Sequence, residues 1–506
     1  MYDVAIIGGG VTGCMIAREL SRYDIKVILL EKEEDVACGT SKANSAVIHA
    51  GFDAKPGTWK AKMNVRGNVL FPGICEELDV PYINNGSLVV AVEDGEIKIL
   101  EKLLNQGRVN GVPGLEIIGH DELMKMEPNL NTKAKAALYA PTAGIVCPYE
   151  FTIALAENAA INGVEFRFNS PVIEIAKEDG AFVVKTPYEF VKARYIINAA
   201  GLFADEISRM AGAEEYTITP RKGEYLIFDK KFGSLIKKVI FPTPSEISKG
   251  ILVCPTVDGN IFIGPNSNDI RDKTDVSVTR EGIEEIIEGG KKLVPELPLS
   301  GVITSFAGLR AVSNTNDFII EASRKVKGFV NVGGIQSPGF TSAPAIAETV
   351  IEILKEEGMD LREKPGFVPT RPRKYRFREM DNLTRQKLIE ENPAFGHVIC
   401  RCETVTEAEI VDAIRRPLGA KSLDGIKRRT RAGMGRCQGG FCSSRVLSIL
   451  ARELKIDPLQ VTKCGPGSEI LKGGYREFIA EKDMDEYLNT VEVESLSWKG
   501  GATNAL

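Results

Sequence analysis

Histidine is scarce in this chain. It holds three among 506 residues, and only two tryptophans stand beside 12 tyrosines and 21 phenylalanines. A reaction that relies on imidazole for proton transfer therefore has few candidates. A basic excess is missing too. Lys and Arg number 64 against 69 Asp and Glu, a formal net charge of −5, which argues against nucleic acid as a partner. No apolar run approaches the ~18–20 residues of a membrane span. The opening MYDVAIIGGG begins at once with an apolar strand and shows no charged n-region, h-region or cleavage site. A cytoplasmic location is expected, at most peripheral to a membrane through a partner.

Cysteine is sparing at first and then crowded. Five of the ten lie within the first 254 residues, and the other five fall in the last 107. A reducing compartment disfavours structural disulfides, so a dense late cluster points to metal or redox chemistry. A single core rarely grows past ~250–300 residues, so a chain of this length implies two or more domains.

The stretch DVAIIGGGVTGCMIARELSRYDIKVILLEKE reads as strand, glycine turn, helix and strand. Gly8, Gly10 and Gly13 make G-x-G-x-x-G. The first permits the tight turn, the second lets backbone approach a pyrophosphate, and the third lets the helix pack against the strand. The helix N-terminus offers free N–H groups to phosphate. Glu31 closes the second strand 21 residues after Gly10, where an acid accepts adenosine ribose hydroxyls. That acid disfavours a 2′-phosphate, which leaves NAD and FAD.

Three later segments bear on that choice: Gly39–Asn68 (GTSKANSAVIHAGF…), Tyr195–Gly212 (YIINAAGLFADEISRMAG) and Gly328–Leu354 (GFVNVGGIQSPGFTSAPAIAETVIEIL). Taken in order with the N-terminal motif, they resemble the D-amino-acid-oxidase-type FAD-dependent oxidoreductases. Within these they are most similar to the glycerol-3-phosphate and L-2-hydroxyglutarate dehydrogenase group. The resemblance covers roughly residues 1–360. It implies a Rossmann-like α/β FAD-binding domain with an inserted α+β substrate domain, at about 70–190 and 215–310 within 1–361. It also implies that Thr40, Ser41, Gly201, Gly339, Phe340 and Thr341 join Gly8, Gly10, Gly13 and Glu31 in holding FAD. The turn from Ser337 to Thr341 opens a helix whose positive end suits the charge of a reduced flavin.

Two cations stand out in apolar, glycine-flanked runs: Lys222 in PRKGEYLIF and Arg310 in SFAGLRAVSNTNDFII. A cation in such a setting needs an anion, either a carboxylate of the chain or a phosphate or carboxylate of a substrate. The hydroxyglutarate enzymes carry Arg before the glycine of the first segment. Lys222, with Arg221 before it, leans toward the glycerol-phosphate branch.

The run REKPGFVPTRPRKYRFREMDN, rich in Pro and charge, reads as an extended, exposed linker (362–394). A small, mainly helical domain (395–465) and a tail (466–506) follow. Cys400, Cys402, Cys437 and Cys442 form C-x-C-x34-C-x4-C. Four thiolates can hold zinc or a [2Fe–2S] cluster, and the tight C-x-C counts against zinc. The spacing resembles the bacterioferritin-associated-ferredoxin type of [2Fe–2S] domain. Cys464 lies outside the quartet and reads as a free thiol. The basic run KRRTRAGMGR reads as a solvated face or as a docking patch for an acidic redox partner.

A flavin takes a hydride and a [2Fe–2S] cluster passes single electrons. Together they imply a dehydrogenase that hands electrons to a protein subunit, an NAD-linked flavoprotein or a quinone-linked one, in an oligomer or complex. The resemblance implies a small anionic hydroxylated substrate, sn-glycerol 3-phosphate, oxidised to dihydroxyacetone phosphate. A 2-hydroxyacid such as L-2-hydroxyglutarate, or a non-catalytic flavin relay, stays open. His49 in SAVIHAGF is the candidate base, with Arg310 and Lys222 as the substrate's anion clamp. His120 lies in a polar helix, and His397 stands beside the first cluster cysteine.

Overall fold

The computed structural model describes residues 1–244 and 250–473. It is built on a parallel sheet. Strand β1 (Tyr2–Ile7) lies between β2 (Val27–Leu30) and the strand Phe190–Asn198, with Val4 opposite Val27 on one side and Tyr195 on the other. Helix α1 (Val11–Leu20) makes the crossover. Val4, Ala5 and Ile6 are fully buried, as a parallel strand covered on both faces must be. Such burial contributes about 1.5–3 kcal/mol for each large aliphatic side chain. Glu165–Arg167 extends the sheet beyond β2. On the opposite edge, Phe190–Asn198 takes the antiparallel hairpin Glu174–Lys185 along its first half and the parallel strand Phe329–Gly333 along its second. Helices Pro148–Ile161 and Gly339–Glu356 pack beside α1.

A second, nine-stranded sheet stands over the first. Its spine is the antiparallel pair Ile218–Phe228 and Val302–Ser313, in register from Ile218↔Ser313 to Ile227↔Thr304. The sequence reading put residues 70–190 in this upper layer. The structure puts Ser87–Ala91, Glu116–Gly119 and Ala136–Ala140 there, but places Pro148–Ile161 and every strand from Glu165 to Asn198 with the lower sheet. Turn signals such as Asp179–Gly180 mark a hairpin without saying which sheet it joins.

The C-terminal part closes its own small core. Ile410, Ala413, Ile426, Val446, Leu450 and Val461 pack between helices Glu407–Arg415, Leu423–Thr430 and Ser443–Leu454. Thr406 and Glu409 form the capping box that starts the first of them.

The expected exposed linker is a correction. From 362 to 376 the chain is extended and Arg362 and Arg373 are exposed, as expected, yet Arg371 is buried and Arg376 half-buried against the helix Pro148–Ile161. Arg371 reaches Glu157 at 2.6 Å, and Arg376 reaches Glu150 at 2.9 Å and Asp79 at 3.0 Å. Arg416 of the C-terminal part joins Glu157 at 3.2 Å. The chain then turns into the helix Asn382–Glu391. The basic run 427–436 is the second correction. Arg428 and Arg429 are buried on Asp35, and Arg431 pairs with Asp258 and Glu403. Periodicity and charge density cannot distinguish a solvated cation from one whose carboxylate lies hundreds of residues away.

Burial raises the Glu157 carboxyl, but Arg371 and Arg416 outweigh it and hold the group below its ordinary range. A depressed carboxyl stabilises the fold fully above its unfolded value, and the contribution is lost as pH falls through the folded one. Glu157→Gln should mimic that loss at neutral pH. Removing one partner of a buried pair costs about 3–5 kcal/mol, so urea unfolding should show it. A loss below about 1 kcal/mol would mean the arginines are satisfied elsewhere.

Candidate functional site

The C-terminal ends of the parallel strands open on one cavity of about 650 Å³. At its near end lies the glycine turn. Gly8 has φ +110°, and a Cβ there would run into the carbonyl of Ala199. A Cβ on Gly13 would strike the Gly8 carbonyl, so α1 can approach the strand only through glycine. Gly10 stands before α1 and offers no side-chain cap. Ser41 Oγ instead accepts from the Val11 N–H at 2.8 Å. Glu31 is buried, which raises its carboxyl, and it accepts the N–H groups of Gly9 at 2.5 Å and Glu33 at 2.9 Å. A carboxylate has about four acceptor positions, so two remain for ribose hydroxyls. Gly201 opens the turn after Phe190–Asn198 with φ +58°.

At the far end, the helix that begins at Gly339 points its N-terminus toward the cavity wall formed by Ser337, Pro338, Gly339 and Phe340. The Phe340 ring turns inward against Phe71 and Phe151, at 5.9 and 5.7 Å, so only its backbone end serves the cavity. Thr341 is buried and ties segments together. Its Oγ1 accepts the His49 N–H at 3.0 Å and contacts the Val47 carbonyl at 3.3 Å. Thr40 Oγ1 donates to Leu309 O at 2.6 Å, joining the two layers. Glycine cradle, anchored acid and two helix N-termini on one long cavity are what a dinucleotide with a reactive ring needs. The residues present fit FAD.

His49 and Arg310 both line this cavity. Asn64 and Asn68 grip the His49 carbonyl at 2.7 and 3.2 Å, and its Nε2 lies 3.5 Å from Ser337 Oγ. Arg310 forms no ion pair among the described residues. Its Nη1 reaches Ser267 Oγ at 3.4 Å and its Nη2 donates to Asn266 O at 3.0 Å. Gly223 makes room for it, since a Cβ there would lie 2.7 Å from Nη2.

Lys222 is elsewhere. In an antiparallel pair, opposed residues share a face. Arg310 stands opposite Arg221, so Gly223 and Tyr225 share its face, while Lys222 and Glu224 point the other way. The Lys222 ammonium is buried and pairs with Asp275 at 2.9 Å. The residue that alternation would have chosen, and the sequence reading missed, is Tyr225. It lines the cavity, stacks on Phe306 at 4.5 Å and lies 3.4 Å from Ser45. Burial pushes its hydroxyl up, against the pull of Arg310, so it stays a protonated donor.

The four cysteines meet as two pairs. Cys402 and Cys437 lie 3.7 Å apart, and Cys400 is hydrogen-bonded to Cys442. That bond holds the Cys400 thiol down at about 6, and the N–H groups of Gly433 and Glu403 add to it. Among the described residues, no three His, Cys, Asp or Glu side chains converge tightly enough for a single metal ion. Two thiolate pairs suit a two-iron cluster, whose irons share four cysteines. The helix Ser443–Leu454 begins directly after Cys442.

No helix among the described residues is long and apolar enough to cross a membrane. Residues 3–353 match the family described as FAD dependent oxidoreductase, and residues 398–452 match the BFD-like [2Fe-2S] binding domain. The glycerol 3-phosphate dehydrogenase of Caloramator mitchellensis is 50% identical over 473 residues, covering 94% of this chain and 98% of that one. The glycerol 3-phosphate oxidase of Mycoplasma genitalium is 35% identical, covering 72% of this chain and 97% of its own. The dithionite-reduced, FAD-bound L-alpha-glycerophosphate oxidase of Mycoplasma pneumoniae superposes with a TM-score of 0.70 at 34% identity, over 73% of this chain and 99% of that one. By its fold, its cofactor cavity and this match over more than half its length, the chain belongs to the FAD dependent oxidoreductases, with a [2Fe–2S]-binding domain at its C-terminal side.

Proposed function

We propose that the chain oxidises sn-glycerol 3-phosphate to dihydroxyacetone phosphate and passes the electrons to a protein acceptor, an NAD-linked flavoprotein or a quinone-linked subunit. Residues 1–361 carry the oxidation and 395–465 the electron transfer. The observation that carries this reading is Arg310, a cation on the cavity wall that forms no ion pair among the described residues and faces the same space as His49 and Tyr225. Of the two cations expected to grip substrate, only Arg310 lines the cavity. One bidentate guanidinium suits a single phosphate better than the two carboxylates of a hydroxyglutarate. Relatives named for glycerol 3-phosphate at 50% and 35% identity support the same choice. All ten cysteines are unpaired, which suits a reducing compartment such as the cytoplasm.

When bound, the flavin would supply a hydride acceptor for C2 of the substrate, and a cluster held by Cys400, Cys402, Cys437 and Cys442 would supply a one-electron carrier. The chain's own residues do the rest. Arg310 holds the phosphate, with its guanidinium angle fixed by Asn266 O and Ser267. His49 Nε2 takes the C2 hydroxyl proton, with its backbone fixed at both N–H and carbonyl. Tyr225, stacked on Phe306, turns its hydroxyl to the same cavity beside Arg310 and can donate to the bound substrate.

Anaerobic bleaching of the flavin by glycerol 3-phosphate, L-2-hydroxyglutarate, L-lactate and amino acids, each in turn, tests the substrate. Glycerol 3-phosphate should bleach it fastest. Bleaching by L-2-hydroxyglutarate alone would reassign the substrate, and no bleaching by any would leave a relay subunit. Arg310→Ala should lower kcat/KM for glycerol 3-phosphate roughly ten- to a hundred-fold, the ~1.5–3 kcal/mol of a hydrogen bond to a charged group. Unchanged kinetics would move the phosphate site away from Arg310. His49→Gln should slow flavin reduction by ~10²–10⁴ at neutral pH with FAD still bound. A variant with the parent's rate and pH profile would show that the base lies elsewhere. For the cluster, anaerobically purified protein should hold about two irons and two labile sulfides per chain, and Cys437→Ser should lose both together. Stoichiometric zinc in place of iron would refute the electron-transfer half of this reading.

A further inference from the structure

The C-terminal part touches the cofactor cavity. Its helix Leu423–Thr430 packs on the loop after β2, and Arg428 and Cys464 join the cavity wall. Two acids of that loop, Glu34 and Asp35, are held from this side. Ser422 Oγ donates to Glu34. Asp35 takes Arg429 through two bonds, at 2.5 and 2.9 Å, and Arg428 through one, at 3.1 Å. One carboxylate therefore serves two buried guanidiniums, and Arg429 has the better share of it. The Arg428 side chain is only 5% exposed, and its Nε has no hydrogen-bond partner among the described residues. Glu34, the other nearby acid, takes its hydrogen bond from Ser422 and attracts Arg428 only through space, and the remaining neighbours include the cation Lys42 and the thiol of Cys38. Asp35 offsets the burial of the Arg428 charge, but the Nε donor is left unmet, and a buried donor without an acceptor is costly until one arrives.

Glu31, Ser41, Lys42 and the first turn of α1 line the same cavity. Glu31 and that helix turn mark the adenosine diphosphate half of a bound dinucleotide. We propose that Arg428 is a cofactor-binding residue supplied by the C-terminal domain, and that its guanidinium engages the anionic diphosphate of FAD. The [2Fe–2S]-binding domain thus completes the FAD site of the domain to which it is tethered. The cofactor supplies the acceptor that the Arg428 Nε lacks, and holding Asp35 fixes the loop that begins at Glu31.

The test uses the full chain stripped of FAD and titrated with FAD, and separately with ADP as a probe of that half alone. Arg428→Gln should weaken both ligands by a similar factor, roughly ten- to a hundred-fold, the range of a hydrogen bond to a charged group, with iron content unchanged. Arg428→Lys should recover part of the loss. Arg429→Gln loosens the same loop without lining the cavity and should weaken binding less. In the unaltered chain, ADP should slow amide hydrogen exchange across residues 423–430, a readout that survives if the variants fold poorly. Parent-like affinity in Arg428→Gln, equal loss in Arg429→Gln, or no exchange protection would each overturn the proposal.

Discussion

Parallel pairing of β1 with β2 and with Phe190–Asn198 is the constraint from which the rest follows. Strands that run the same way end at the same edge. Gly8, Glu31, Ala199 to Gly201 and the loop after Phe329–Gly333 are therefore delivered to one line, although more than 300 residues separate the first from the last. Ligands of such sheets bind at the carboxyl ends of the strands for this reason. Helix packing then fixes the spacing. Gly13 lets α1 close on the Gly8 turn, and a Cβ on Gly67 would meet the Thr341 carbonyl, so the helix Trp59–Glu77 can sit tight against the start of Gly339–Glu356. The upper sheet contributes the strand pair that carries Tyr225 and Arg310, and alternation decides that these two share a face while Lys222 points the other way.

The second organising force is electrostatic. The C-terminal domain is joined to the rest through carboxylates buried beneath arginines: Asp35 under Arg428 and Arg429, Glu157 under Arg371 and Arg416, and Asp258 under Arg378 and Arg431. Each pair joins segments more than a hundred residues apart. Buried ion pairs are weak sources of net stability but strong sources of specificity, because any misdocked arrangement leaves a charge uncompensated. For a domain that must present a redox centre to another in one orientation, that trade is useful. This pairing also makes Arg371, Arg376 and Arg378 of the expected linker part of the joint.

What the sequence showed and what it hid divide along a physical line. The glycine turn, Glu31, the paired cysteines and the Thr406–Glu409 capping box depend on neighbours within a few tens of residues, and short spacing carries that information. Lys222 and Tyr225 depended on strand parity, which is fixed only once Ile218–Phe228 pairs with Val302–Ser313. Counting alternate residues from Gly223, the position that must stay small beside Arg310, would have pointed to Tyr225. The arginines of 427–436 depended on carboxylates at 35 and 258, and no local pattern encodes a partner at such distance.

The cysteine site has an inside and an outside. Cys400 and Cys442 are buried in the C-terminal core, whereas Cys402 is exposed and Phe441, within the same loop, is 85% exposed. The inner side is joined to the body of the molecule through Met434, whose sulfur accepts the Tyr149 hydroxyl at 3.2 Å, and through Arg431, which donates to the same hydroxyl at 3.2 Å. Tyr149 belongs to the helix Pro148–Ile161. That helix follows the strand Gly144–Val146, which pairs with Val47 and Ile48 just before His49. A continuous run of bonded and packed groups thus links the flavin cavity to the buried cysteine pair, while the other pair faces solvent. For the function proposed above, this polarity gives the two ends different duties. On that proposal, electrons would enter on the buried side of Cys400 and Cys442 and leave on the exposed side of Cys402.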